Sequence, residues 1–355
     1  MQVDMHYGAT SVLARAAGFD EPDALTIGYA AQYVDDAQDG RDISVAGQTF
    51  SPLATANSLG GYLHSRQKET WLKVYLPFHF LPPGPIRSPE GDFITQAGGE
   101  MVRKLLADVA QDPGPEPRYR LCRLGVALHT VADTWSHQGF SGRWHPENDV
   151  VQLEPLDTPP SLAKAMEQAF RDWLDLIAVA TPMYVAHFQA GFLPDYPFLS
   201  WRAVFDQLPG QASGRSLSLD NQEQYLTASE FIYQTLCDWP KDQPSAVTAW
   251  EDILPGIKRC LAHTGVDRQA RCDQWRAEFG WLFPLSGGMP AYDVHAWEVE
   301  ALGEKLQQDV VDDLLQLVGI HHHYPGTPGF PQSRWVRFHQ AAARQRAWLG
   351  QQVKI

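Results

Sequence analysis

The sequence predicts an all-α fold of many helices joined by long irregular connections, on three observations. Long stretches carry apolar residues at helical spacing, almost nothing alternates with a period of two, and proline–glycine clusters punctuate the gaps. The first periodic stretch is 22–36 (PDALTIGYAAQYVDD), which places Leu25, Gly28, Tyr29 and Tyr33 near one face. The clearest is 119–139, where Leu121, Leu124, Ala127, Leu128 and Val131 supply the apolar positions. Further helices are predicted around 161–190, 221–238, 295–318 and 332–352, the last rich in good helix formers. LPPGPIRSPEGD, DPGPEP and HHHYPGTPGFPQS read as ordered loops, because hydrophobic residues flank them closely. With 355 residues and no internal repeat, the preferred organisation is a single mostly helical domain over 1–355. A separate C-terminal helical subdomain over 220–355 is the alternative.

Composition narrows the function classes. The chain is 44% hydrophobic and 20% charged, as soluble globular proteins are. A formal charge of −14 argues against an extended nucleic-acid or anionic-membrane surface, because phosphate arrays call for basic patches. No apolar run approaches the roughly 20 residues that span a bilayer, so no transmembrane segment is expected. MQVDMHYGAT has neither a basic nor an apolar leader region, so a cytoplasmic location is expected, with leaderless export left open. Cys122, Cys237, Cys260 and Cys272 form no CxxC pair and fit reduced thiols. No G-x-S-x-G elbow, P-loop or G-x-G-x-x-G run supports serine-esterase or nucleotide-cofactor chemistry.

The chemistry-bearing segment is HTVADTWSH, with His129, Asp133 and His137 spaced four apart. Each such step turns a helical side chain by only about 40°, so all three share one face. The two histidines are nevertheless separated by about 12 Å of helical rise, against metal–ligand bonds of about 2 Å. Two or more ions with Asp133 as a bridging carboxylate fit better than a single ion. A core histidine pair with an acid partner is the bland alternative, disfavoured because unpaired polar groups beside Leu128 and Val131 are costly to bury.

Downstream, QGFSGRWHPEND repeats the spacing with His145 and Asp149. Pro146 suits the first turn of a new helix, which would bring the two together as further ligands. Upstream, MQVDMHYG offers Asp4 and His6, YVDDAQDG offers Asp35 and Asp36, and LPFHFLPPGP offers His79. Carboxylates at a helix C-terminus oppose its dipole, which favours a compensating cation. Asp36 is the first choice of that pair and Asp35 a close second. His321, His322 and His323 in a Pro/Gly loop are a weak signal, and His64, His187, His263, His295 and His339 carry no partner pattern and read as structural. Trp71, Trp135, Phe140 and Trp144 lie close to these segments and could shape an apolar or base-stacking pocket, though most aromatics in such a chain are core.

Taken in order, His6, Asp36, His79, His129 with Asp133, His137, and His145 with Asp149 resemble the ligand series of the zinc-dependent phospholipase C and fungal single-strand nuclease superfamily. LHTVADTWSHQGF also looks like the domain of heterokaryon-incompatibility C proteins, and the closest resemblance is to an uncharacterised bacterial branch with the same opening segment, YVDDA and PFHF. The resemblance covers about residues 1–150 and implies a phospholipase C/nuclease-like helical fold with a zinc cluster cleaving phosphate esters. By position, Asp36, His79, His129 and Asp133 would hold one zinc, His137, His145 and Asp149 another, and His6 with Asp133 a third. Two departures stand out. Three residues separate Asp133 from His137 where the phospholipases and nucleases have five, and Met1 stands where the secreted enzymes use a processed N-terminal amine and carbonyl as ligands. Asp4 could replace those atoms, since Asp4 and His6 would point the same way on an extended segment.

The resemblance implies a phosphoester hydrolase with two or three Zn2+ ions, Mn2+ or Fe2+ being alternatives since His and carboxylate ligands do not fix the metal. A small phosphoester or phospholipid is the expected substrate, with Asp36 combining ligation with activation of a water. A nuclease or nucleotidase on the same cluster, and a metal-stabilised interaction or toxin module, are the competing readings.

Overall fold

Helix starts follow their capping residues. In the computed structural model, which describes residues 1–57, 66–156, 164, 184–208, 214–306 and 323–355, the Asp20 carboxylate accepts from the Asp23 N–H at the start of the helix that follows it. After a π-helical turn, Asp4–Ala9, come α1 (Thr10–Ala16) and α2 (Glu21–Asp36). Next are α3 (Glu100–Gln111) and α4 (Pro117–Ser136), the latter opened by a Glu116 cap and Pro117. The second half contributes α5 (Asn221–Asp238), α6 (Trp250–Leu261), α7 (Arg268–Phe279), α8 (Ala296–Leu302) and α9 (Arg334–Gln352). No described helix is long and apolar enough to cross a membrane.

The all-α expectation is corrected by two three-stranded sheets among the described residues, which make the fold mixed, though mostly helical. In the first, β1 (Ile43–Val45) pairs antiparallel with β2 (Gln48–Phe50) and parallel with β6 (His323–Tyr324). The second is an antiparallel meander of β3 (Val150–Leu156), β4 (Ser200–Phe205) and β5 (Ser216–Asp220). These strands are too short to stand out by periodicity. In β4 only Trp201, Ala203 and Phe205 mark the buried face, and SLSLD in β5 alternates over five residues. Two of the pairings, β1 with β6 and β3 with β4, also join distant stretches of chain.

Two other expectations change. The predicted helix at 161–190 falls mostly outside the described residues, and its described end, from 184, is a turn followed by a 3-10 helix, Phe188–Ala190. The predicted helix at 295–318 is observed as α8, and the stretch from 307 lies outside the described residues.

Packing of α2 on α4 brings the acids of one helix to the histidines of the other, and glycine makes the approach close. A Cβ on Gly125 would lie 2.4 Å from the Ile27 carbonyl oxygen and 2.7 Å from the Ala30 methyl, and one on Gly28 would lie 1.9 Å from the Ser11 hydroxyl. With those side chains reduced to hydrogen, α2 sits between α1 and α4 at near backbone contact. The ends of α2 and α4 and the N-terminal turn then meet at one place. On the far side of α4, α9 seals the core: buried Arg123 donates to Gln345, whose amide donates to the Thr130 hydroxyl and the Pro77 carbonyl.

Candidate metal centre

Residue 129 of α4 follows Gly125 by one turn, so the close approach of α2 brings His129 Nδ1 to 2.8 Å from the Ala31 carbonyl. A carbonyl oxygen only accepts, so Nδ1 carries the proton and Nε2 presents a lone pair. The same logic applies to three more histidines. His79 Nε2 donates to the Thr55 carbonyl at 2.9 Å, His137 Nδ1 to the His79 carbonyl at 2.9 Å, and His187 Nδ1 to the Gly191 carbonyl at 3.0 Å. Each ring is fixed in tautomer and direction by the main chain, as metal-ligating histidines usually are.

The free nitrogens converge on carboxylates. His129 Nε2 lies 3.1 Å from His79 Nδ1, and both lie 3.2 Å from Asp133 Oδ2. With both rings neutral, three electron-pair donors thus face one another. Asp35 completes this group, its Oδ1 lying 3.8 Å from His79 Nδ1 and 3.7 Å from His129 Nε2. The other oxygen of Asp133 turns to a second group: Oδ1 is 3.2 Å from His6 Nε2 and 2.9 Å from the amino nitrogen of Met1. Neither ring nitrogen of His6 has a hydrogen-bond partner, although the ring is buried and stacked on His129 at 3.8 Å. A third group joins His137, His187 and Asp195, with His137 Nε2 at 3.6 Å and His187 Nε2 at 3.8 Å from the carboxylate.

Electrostatics match this crowding of donors. Burial alone would raise the Asp133 carboxyl, but His137, the Met1 amine, His129 and His6 outweigh it and hold it well below the usual carboxylate range. Burial opposes ionisation of Asp195 as well, yet the Met1 amine and His187 hold that carboxyl low. Burial, then the neighbouring His6, pushes His129 down to about 4, and burial brings His187 to about 4. Burial opposes protonation of the Met1 amine too, yet Asp133, Asp195 and Asp35 raise it to about 11. An ammonium between Asp133 and Asp195 therefore occupies ground suited to a cation, with donors to Asp133, to Asp195 at 3.2 Å and to the Ser136 hydroxyl.

Of the residues singled out in the sequence, the structure brings together His6, Asp35, His79, His129, Asp133 and His137. Four it does not. Asp36 lies on the other face of α2, where it accepts from Tyr292 at 2.7 Å and Gln32 at 3.1 Å, because successive helical residues point about 100° apart and α4 covers only one face. Burial and the Asp35 charge raise its carboxyl to about 6. Asp4 is engaged by Arg271, its position set by helical and not extended backbone, so the Met1 nitrogen itself reaches Asp133. His145 and Asp149 belong to none of the convergent groups among the described residues. Pro146 opens only a three-residue 3-10 turn, Pro146–Asn148, so no α-helical turn superposes them. Glu147 and Asn148 are the buried residues there, Glu147 bound by Ser141 and by Arg143 Nε at 3.0 Å, while the His145 side chain is 41% exposed.

The sequence does not single out His187 or Asp195, because His187 carries no partner pattern at helical spacing. The available signal was HFQAGFLPD, where Gly191 at φ +56° and Pro194 build a tight return between the two. Among the other histidines, His339 accepts from the Leu53 N–H and His295 pairs with Glu298, both structural roles. His323 lies exposed on β6, and His64, His321 and His322 lie outside the described residues.

A cavity of about 260 Å3 opens onto the cluster, walled by Asp35, His79, Asp133, His137, His187 and Asp195 on one side. Tyr75, Phe80, Phe188 and Phe192 are the aromatic part of its lining. Trp71, Trp135, Phe140 and Trp144, expected to shape a pocket, are absent from this wall; Trp135 and Phe140 are core.

The chain matches the DUF6765 family, described as a family of unknown function, over residues 1–353 and belongs to it. None of the curated proteins and none of the solved structures matches the chain.

Proposed function

We propose that this member of the DUF6765 family is a metal-dependent phosphoester hydrolase holding two or three divalent cations, zinc foremost. The observation that carries the reading is the meeting of His79 Nδ1, His129 Nε2 and Asp133 Oδ2 within 3.1–3.2 Å, an arrangement of lone-pair donors that a shared cation would satisfy. Buried polar atoms left facing one another in this way are costly otherwise. His and carboxylate donors suit zinc, and the sequence resemblance to the zinc phospholipase and nuclease superfamily supports the same choice.

Cations held there would supply charge neutralisation at phosphorus and acidify a water. The protein's own groups would do the rest. Asp133 would bridge two positions, as its two oxygens already face different histidines. Asp35, 31% exposed on the cavity wall, takes the water-orienting and proton-accepting role that the sequence suggested for Asp36. Phe80, stacked on His137 at 4.6 Å, and Phe188 and Phe192 would keep the reacting face apolar, and the cavity's size suits a phosphoryl group with a compact substituent.

Total metal analysis of the purified, zinc-supplemented protein tests this, together with turnover of choline phospholipid analogues, nucleoside monophosphates and single-stranded DNA. Two to three equivalents and hydrolysis of one ester class are expected. Less than one equivalent of any transition metal overturns the reading. Full metal with no turnover of any ester would favour a structural, non-enzymatic role for the cluster.

A further inference from the structure

His6 differs from the other histidines of the cluster. His79, His129, His137 and His187 each have one ring nitrogen tied to a main-chain carbonyl, whereas His6 has neither ring nitrogen hydrogen-bonded. Its direction therefore depends on where the backbone of the N-terminal π-turn is held. That backbone has an anchor from the far end of the sequence. Arg271 of α7 is fully buried and donates through Nε to Asp4 Oδ2 at 2.9 Å and through Nη2 to Gln2 Oε1. Its Nη1 donates to the Gly265 carbonyl at 2.7 Å and the Val266 carbonyl at 3.3 Å, which fixes the guanidinium itself. The Gln2 carbonyl in turn accepts from the backbone N–H of His6 at 2.9 Å, so the clamp acts on the peptide that carries the ring. The guanidinium also lies 5.2 Å from the centre of the Tyr196 ring, next to Asp195.

We propose that Arg271 is a positioning residue that, through Asp4 and Gln2, holds His6 in place to bind one cation of the cluster. The inference rests on the metal-centre reading under Proposed function and gives the second half of the chain a part in it. A lysine cannot replace this arrangement, because one ammonium lacks the planar fork that serves a carboxylate, an amide and two carbonyls together. The chemistry predicts a selective defect: the His79–His129–Asp35 and His137–His187–Asp195 groups have their own carbonyl anchors and should keep their cations.

The test is metal content per chain, measured on the full-length protein after zinc loading and desalting. Arg271→Gln, Arg271→Lys and His6→Ala should each lose one equivalent, and Arg271→Gln combined with His6→Ala should lose no more than either alone. His187→Ala should lose a different equivalent and add to Arg271→Gln. Where Arg271→Gln fails to fold by circular dichroism, Asp4→Asn, which keeps side-chain volume, carries the same expectation. A folded Arg271→Gln or Asp4→Asn that retains the full native complement, or that loses every cation together, overturns the inference while leaving the hydrolase reading intact. A native protein with less than one equivalent overturns both.

Discussion

Within α4, His129 and Asp133 stand four residues apart, and in the segment after that helix His145 and Asp149 stand four apart as well. The first pair is buried and its atoms lie 3.2 Å from each other. The second is split: His145 is half-exposed, with its Nδ1 accepting from the Glu147 N–H, and Asp149 leads into β3. The contrast shows that a spacing becomes a juxtaposition only where the helix between the two residues is real. α4 has a long run of good formers and an apolar face packed on α2 and α9, so its register is secured by tertiary burial. The segment after Pro146 has a single turn, and its inward positions are taken by Glu147 and Asn148, which satisfy Ser141, Arg143 and the local main chain.

Breaking the two pairs in parallel should separate them most widely. Asp133→Asn removes the charge that faces two groups at once, so at least two equivalents of metal and all measurable turnover should go. Asp149→Asn should retain the full metal content. Equal losses in the two variants, by metal analysis and initial rates, would show that burial does not distinguish them.

A pH series sharpens the same comparison in metal-free protein. His129 and His187 titrate at about 4 in the folded chain and His339 at about 3, against 6.5 when unfolded, because burial disfavours their charged forms. Between these values the unfolded chain binds more protons, so this contribution to stability is present above about 6.5 and is lost as pH falls toward 4. His79 acts in the other sense: burial opposes its charge, but Asp133 and Asp35 raise it overall, so its contribution is present at low pH and lost as pH rises through its folded value. His129→Gln should therefore flatten the acid-side fall of the urea midpoint by roughly a third of the part due to His129, His187 and His339. His145→Gln, at a half-exposed site, should leave the slope nearly as it was; an equal flattening in both would contradict the assignment.

The smallest effect is expected from His145→Ala. With the side chain half-exposed and only two long contacts at 3.3 Å to Glu147 to lose, the unfolding free energy should stay within about 0.5 kcal/mol of native, and metal content should not change. Loss of a full equivalent would return His145 to the ligand set.

Legibility in the sequence followed the reach of local geometry. The ranges of α2, α4, α5 and α9 were readable to within a few residues, because amphipathic periodicity and caps such as Asp20 and Ser333 are local signals. The sheets were not, because their strands offer only short alternations, and β3 and β6 pair with strands far away in the chain. In the site, His6, His79, His129, Asp133 and His137 could be singled out by residue type and spacing. The sequence reading put Asp36 ahead of Asp35, whereas Asp35 meets the histidines, since both end the same helix and only the packing of α4 against one face decides which carboxylate does so.

By itself the sequence determined that His129, Asp133 and His137 fall along one side of a helix, and that the helical rise keeps the two histidines apart. Both conclusions need only the fixed turn and rise of an α-helix. The tertiary structure alone decided that His187 and Asp195 replace His145 and Asp149 beside His137, and that the Met1 nitrogen reaches Asp133 while Asp4 turns to Arg271. Loop returns and helix crossings set those meetings, and neither leaves a period in the chain.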